Sequence, residues 1–189
     1  MDREELTRKY AAGQRDFSGV DLRDLDLRSI NLDGSNLSGA RLDYTLLNNA
    51  ILSNTIMRGA YAYLADFRNA ILERADLRNS DLRMSNFAYC ILEEADLRDA
   101  SLPEACFSHA NLRNANLERA ILGAVSFDEA NLEGANLRQI EGATDATWYL
   151  TNLTDAFLDE TAMCCWNRTT LPNGEVKTTL PNGQIVTDI

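Results

Sequence analysis

A large apolar residue recurs at every fifth position of this chain, beginning at Phe17, Leu22, Leu27 and Leu32 and running to Leu132 and Leu137. From 17 to 137 there are 25 such centres, and 23 are Leu or Phe, the lapses being Met57 and Ala62. Two residues before the centre the side chain is small, with Ala, Ser, Thr or Cys at 20 of the 25 positions. The residue just before the centre is Asp or Asn at 14, so the unit reads Ala-(Asp/Asn)-Leu-X-X. No ordinary element has this period. On an α-helix, steps of five rotate successive leucines by about 140° and scatter them around the axis. On a strand, an odd step sends them to opposite faces. The leucines share one interior only if the backbone turns within each unit. A turn of about a right angle closes four units into a coil of twenty residues.

Such a coil predicts correlations at a spacing of twenty. Phe67, Phe87, Phe107 and Phe127 have that spacing and should form one column inside the tube. Ile51, Ile71 and Ile91 should do the same outside, as should Arg58, Arg78 and Arg98. Large centres fill the axis, and small residues fit where the wall comes close. Stacked coils pair their backbones at the strand spacing of about 4.8 Å. No coil buries its apolar face alone, so the stack needs several neighbours and two capped ends.

The ends depart from the pattern. Residues 2–12 read as a short helix, with Asp2 and Glu5 forming a capping box, Leu6 and Tyr10 on one face, and Gly13 as the stop. Larger residues at the small position, Val20, Leu25 and Ile30, shape the first coil to meet it. After Leu137 the frame resumes one residue late, at Trp148, Leu153, Leu158 and Met163, so 139–146 holds an extra residue in a bulge or small loop. These four centres bring the 25 to 29. That makes about seven coils and a rod of about 34 Å. The hexapeptide Thr-Thr-Leu-Pro-Asn-Gly then occurs twice, at 169–174 and 178–183, with turn chemistry between strand-like residues.

Charge sharpens this picture. The 189 residues carry a net −11, yet residues 1–83 hold 13 acids against 12 bases, and residues 84–189 hold 16 against 6. The acidity therefore belongs to the second part of the chain. It argues against direct binding of nucleic acid or an anionic membrane, both of which need a basic footprint. No apolar run is long enough to span a bilayer, and the charged start lacks a secretory signal pattern, so the expected compartment is the cytoplasm. Cys90, Cys106, Cys164 and Cys165 contain no CxxC pair, and free thiols are expected.

The 25 units in one frame resemble the pentapeptide-repeat family, whose fold is a right-handed, four-sided β-helix. The likeness covers residues 15 to about 165. The entry Tyr10-Ala11-Ala12-Gly13-Gln14-Arg15-Asp16-Phe17 is similar to entries in small cyanobacterial members. The chain is thus expected to be all-β: a right-handed quadrilateral β-helix, or pentapeptide-repeat solenoid, over 14–165. Residues 1–13 would form a capping helix, and 166–189 a cap or tail of turns and short strands. The resemblance also allows association into an end-to-end or C-terminal homodimer beside the monomer.

Chemistry is sparse. His109 stands alone on an outward position, and no Ser or Cys has a nameable base. There is no phosphate loop or dinucleotide fingerprint, so no enzyme activity, cofactor or metal is expected. Two surface features stand out. Four consecutive units replace the usual Asp or Asn with Leu46, Ile51, Ile56 and Tyr61, one on each side of a coil. On one of those sides Tyr44, Tyr61, Tyr63, Leu64 and Met84 should gather, either as a patch for an unidentified protein partner or as a buried local irregularity. The second feature is the acidic set Glu93, Glu94, Asp96, Asp99, Glu104, Glu118, Asp128, Glu129 and Glu133. The family resemblance gives this set a possible meaning, because quinolone-resistance members are acidic rods that imitate duplex DNA and occupy gyrase. Arg78, Arg98, Arg113, Arg119 and Arg138 interrupt the field, and the long loops of those members have no counterpart between 17 and 137. The leading expectation is a non-enzymatic interaction scaffold. Behind it stands a DNA-mimic inhibitor of a topoisomerase, and behind that an enzyme with a surface site.

Overall fold

The backbone closes a turn after every centre, and that turn generates the architecture. The computed structural model describes residues 1–159, 169–171, 173, 176–179 and 185–188. Two residues past the centre the chain takes positive φ, at glycines such as Gly39 and Gly59 and at side-chain-bearing residues such as Asn49, Tyr44 and Leu64. The next small residue then donates its N–H to the carbonyl of the centre, as Ala40 does to Leu37 at 3.0 Å. This is the geometry of a type II turn. Four such turns complete each coil of a right-handed, four-sided β-helix, and single parallel bridges join each wall to the next coil twenty residues on.

Units with Asp or Asn before the centre settle their backbone polar groups in a fixed way. The N–H of centre Leu22 donates to the carbonyl of Arg41, and the N–H of Arg41 donates down to Val20. One N–H, on the residue after the centre, has no partner in this ladder. The Asp or Asn before the centre accepts it, as Asn36 accepts from Ser38 and Asp66 from Arg68. An Asx side chain capping an N–H two residues on is a local bond that such residues favour. The preference for Asp or Asn at that position therefore has a structural cause.

The interior follows the pattern. The centres from Phe17 to Leu137 are buried, Met57 and Ala62 included. Phe67, Phe87, Phe107 and Phe127 stack at 4.6, 4.8 and 5.4 Å between ring centroids, and Trp148 extends the column at 4.7 Å. Those separations match the rise of one coil. Pairing changes from a step of twenty at Ile121–Glu141 to twenty-one at Ser126–Thr147. The extra residue is absorbed in a 3-10 turn, Ala143–Asp145, entered through Gly142 at φ 71°. A β-carbon on Gly142 would lie 3.2 Å from the backbone nitrogen of Gly123, so both conformation and space call for glycine there.

Helix α1, Arg3–Ala11, closes the first coil. Asp2 caps it by accepting the Glu5 N–H at 2.8 Å, and Leu6 is fully buried in the common core. In higher coils the outward-wall carbonyls accept from the coil below, but the first coil has none below it. Residues around α1 supply the missing donors. Arg3 reaches the carbonyls of Asp26 and Arg28, Tyr10 that of Asp33, Gln14 that of Asp16, and the N-terminal amine that of Asp21. At the other end β1, Thr169–Thr170, pairs in parallel with Asn152, and Leu171 packs against the core. Strands β2, Val176–Thr179, and β3, Ile185–Asp188, continue from β1 as an antiparallel sheet in the order β1-β2-β3. The expected centre Met163, the pair Cys164 and Cys165, and residues 180–183 of the second hexapeptide lie outside the described residues.

Candidate functional site

Turn geometry places the residue two past each centre at a corner of the rod, and the corner after the second wall carries Tyr44, Leu64 and Met84 on successive coils. All three are exposed and have positive φ, at 59°, 55° and 58°. For side chains of this size that conformation is unfavourable, by about 1 kcal/mol each. The wall beside them holds Tyr61, with 52% of its surface exposed, and Tyr63, which meets Tyr44 edge to face at 5.7 Å. Arg83 lies over the Tyr63 ring at 5.8 Å while its guanidinium is held by Asp81 at 2.7 Å. Tyr61 is flanked in its column by Arg41 on one side and Asp81 on the other.

The coil that carries Tyr61 is unusual on its other walls too. Leu46, Ile51 and Ile56 occupy the place of the capping Asp or Asn and are 38%, 37% and 39% exposed. The frame is unbroken here, and the bridges run through these residues as they do elsewhere. What changes is the backbone N–H after each centre. Among the described residues nothing accepts from the N–H of Asn48, Ser53 or Arg58, whereas Asp43, one coil below, accepts from Tyr63 at 3.2 Å. Four adjacent units thus lack their own cap and present apolar surface to solvent.

The acidic set is largely neutralised at short range. Arg98 holds Asp96, which Arg78 also approaches, and Arg78 holds Asp76. Across coils, Arg74 meets Glu94 at 2.8 Å, Arg119 bridges Asp99 and Glu118, and Arg113 lies between Glu93 and Glu133. The guanidinium of Arg119 holds the Asp99 carboxyl below its ordinary value, mainly by direct hydrogen bonds. Asp128 accepts the N–H of Tyr149 at 2.8 Å, and Glu104 is exposed with no basic partner among the described residues. The hollow lined by Glu73, Arg74, Glu93 and Glu94 is part of these ladders.

His109 is not the freely solvated side chain that its outward position implies. It stacks on Tyr89 at 4.6 Å, and its Nδ1 lies 3.3 Å from Glu129. Both partners sit at a spacing of twenty, the signal that would have found them. Cys90 is buried and donates to the carbonyl of Phe67, and burial pushes its thiol up to about 12. Cys106 is half-buried beside Ser108, whose hydroxyl meets that of Ser126 at 3.0 Å. Among the described residues no group of His, Cys, Asp or Glu is arranged to hold a metal, and no helix is long and apolar enough to cross a membrane.

A family model described as pentapeptide repeats matches residues 16–54, 47–83, 81–119 and 105–140, with eight copies. Among solved structures, a trypsin-treated form of QnrB1, a plasmid-mediated fluoroquinolone resistance protein, is 19% identical. It covers 78% of this chain and 81% of its own, with a TM-score of 0.48. HetL, a pentapeptide repeat protein involved in heterocyst differentiation regulation in the cyanobacterium Nostoc, is 26% identical over 93% of this chain and 99% of its own, at a TM-score of 0.21. Rfr23 from the cyanobacterium Cyanothece is 22% identical over 82% and 98%, at 0.35. No curated protein matches the chain.

Proposed function

The chain belongs to the pentapeptide-repeat family, and from that premise we propose that it is a non-enzymatic binding rod that docks a protein partner on the wall carrying Tyr44, Tyr61, Tyr63, Leu64 and Met84. One observation carries this reading. The coil at Leu46, Ile51, Ile56 and Tyr61 forgoes its capping side chains and exposes apolar groups instead. Exposed aromatic and methionine surface is the composition of interface cores rather than of ordinary solvated faces. The corner residues point the same way, since Tyr44, Leu64 and Met84 keep 50%, 39% and 38% of their surface in solvent.

Replacing Tyr61 and Tyr63 together by Ser should abolish co-purification of a partner from the native host while leaving thermal stability unchanged. A fall in stability with no change in co-purification would make these rings packing residues and remove the reading. The second reading, a DNA-mimic inhibitor of DNA gyrase or another topoisomerase, meets an obstacle in the ion-pair ladders. A phosphate mimic needs free carboxylates in register, and here Arg74, Arg78, Arg98, Arg113 and Arg119 occupy most of the candidates. A supercoiling assay with excess protein is expected to show no inhibition, and clear inhibition would restore that reading.

A further inference from the structure

Resting on the docking wall just described, we infer that its partner is an apolar protein segment carrying an Asp or Glu, whose carboxylate is received by Arg41. Between residues 17 and 138 every other arginine of the described rod already has a neighbour for its guanidinium. Arg23 holds Asp21, Arg83 holds Asp81, and Arg138 lies over the ring of Phe157. Arg41 has neither a carboxylate within ion-pair distance nor a ring among the described residues, and it is exposed. Its nearest candidates are engaged elsewhere. Asp21, paired to it through the backbone, is gripped by Arg23 at 2.9 and 2.6 Å and feels Arg41 only through its charge, and Asp43 faces the N–H of Tyr63.

The position of Arg41 gives this its meaning. It is bridged directly to Tyr61, and on the far side of the same wall stand Tyr63 and the corner row Tyr44, Leu64 and Met84. The wall therefore pairs a cation that holds no carboxylate at ion-pair distance with an apolar and aromatic surface about two coil spacings, or about 10 Å, along the rod. A carboxylate set among apolar side chains complements both parts, and arginine favours it through paired N–H donors. The overall −11 does not defeat this, because residues 1–83 are nearly neutral. The acidic second part is screened over about 8–10 Å at physiological salt. A single open guanidinium on an acidic chain is not the basic footprint that nucleic acid or an anionic bilayer requires.

The test is selection of short random peptides displayed on phage against the immobilised full chain, with thermal unfolding used to check that each variant is folded. The inference expects recovered peptides to combine aromatic or aliphatic residues with Asp or Glu. Their binding should be lost on the Tyr61→Ser, Tyr63→Ser variant. Arg41→Ser should weaken a synthetic copy of a recovered peptide by about tenfold or more. Arg41→Glu should shift recovery toward peptides bearing Lys or Arg. Recovered peptides that need the tyrosines but show no acidic enrichment overturn the role of Arg41 and leave the docking wall standing. Failure to recover any tyrosine-dependent peptide overturns both.

Discussion

Two buried hydroxyls show how closely side chains are matched to this backbone. Thr45 is fully buried and donates to the carbonyl of Leu22 at 2.8 Å, while Ser35, equally buried, has an Oγ with no hydrogen-bond partner. An unsatisfied buried hydroxyl costs free energy, whereas a satisfied one contributes about 1 kcal/mol. Ser35→Ala is therefore expected to leave unfolding free energy unchanged or raise it by up to about 1 kcal/mol. Thr45→Val should lower it by about 1 kcal/mol or more, because the Leu22 carbonyl loses a donor in the core. Urea titration of both variants checks the pair, and the opposite order would contradict this bookkeeping. At this scale the chain was only partly readable. Asp76 with Arg78 and Asp96 with Arg98 are visible as local pairs, but Arg119 with Asp99 and Tyr89 with His109 appear only when the spacing of twenty is applied to surface residues. The positive φ at Tyr44, Leu64 and Met84 was hidden for a different reason, since none of these residues favours it.

At the scale of elements, the phenylalanine column could be read because its spacing equals the coil length. Trp148 joins that column once the extra residue at 139–146 is allowed for, at a step of twenty-one. Helix α1 was announced by its capping box, yet its contribution lies in what surrounds it. Arg3, Tyr10 and Gln14 supply donors to first-coil carbonyls that have no coil below them, and Leu6 enters the common core. Leu6→Ala should cost about 2–5 kcal/mol, as other buried leucine truncations do. Arg3→Ala should cost less, because its carbonyl partners regain water. Denaturation of the two variants in parallel measures the difference. A Leu6→Ala protein as stable as the parent would mean that the helix merely rests on the rod.

For the whole molecule, the surface is knit by Asp–Arg pairs that depend on ionised carboxylates. Arg28 holds the Asp26 carboxyl at about 2, against an ordinary value of 3.8, chiefly by direct hydrogen bonds. Asp81 and Asp99 are lowered in the same direction, chiefly by hydrogen bonds from Arg83 and Arg119. A carboxyl depressed in the folded state stabilises above its unfolded value, and the contribution is lost as pH falls through the folded value. Stability should therefore hold down to about pH 4 and decline from there toward pH 2, less steeply in high salt because these groups are exposed. Urea midpoints at pH 5, 3 and 2 test the window, and a midpoint unchanged at pH 2 would mean that the ladders contribute nothing. The uneven charge that the sequence displays is thus partly cancelled across coils, which leaves the apolar coil as the clearest departure from a self-sufficient rod.

That coil is where the account is most exposed to test. Leu46, Ile51 and Ile56 displace the cap that Asp or Asn provides in 14 of the 25 units, and each keeps more than a third of its surface in solvent. If they are retained for a partner, changing all three to Asn restores three N–H acceptors at the expense of modest apolar contact. The predicted unfolding free energy of Leu46→Asn, Ile51→Asn, Ile56→Asn then lies within about 1 kcal/mol of the parent. A loss of more than about 3 kcal/mol would show that the coil is built for packing, and would contradict the claim that it serves binding.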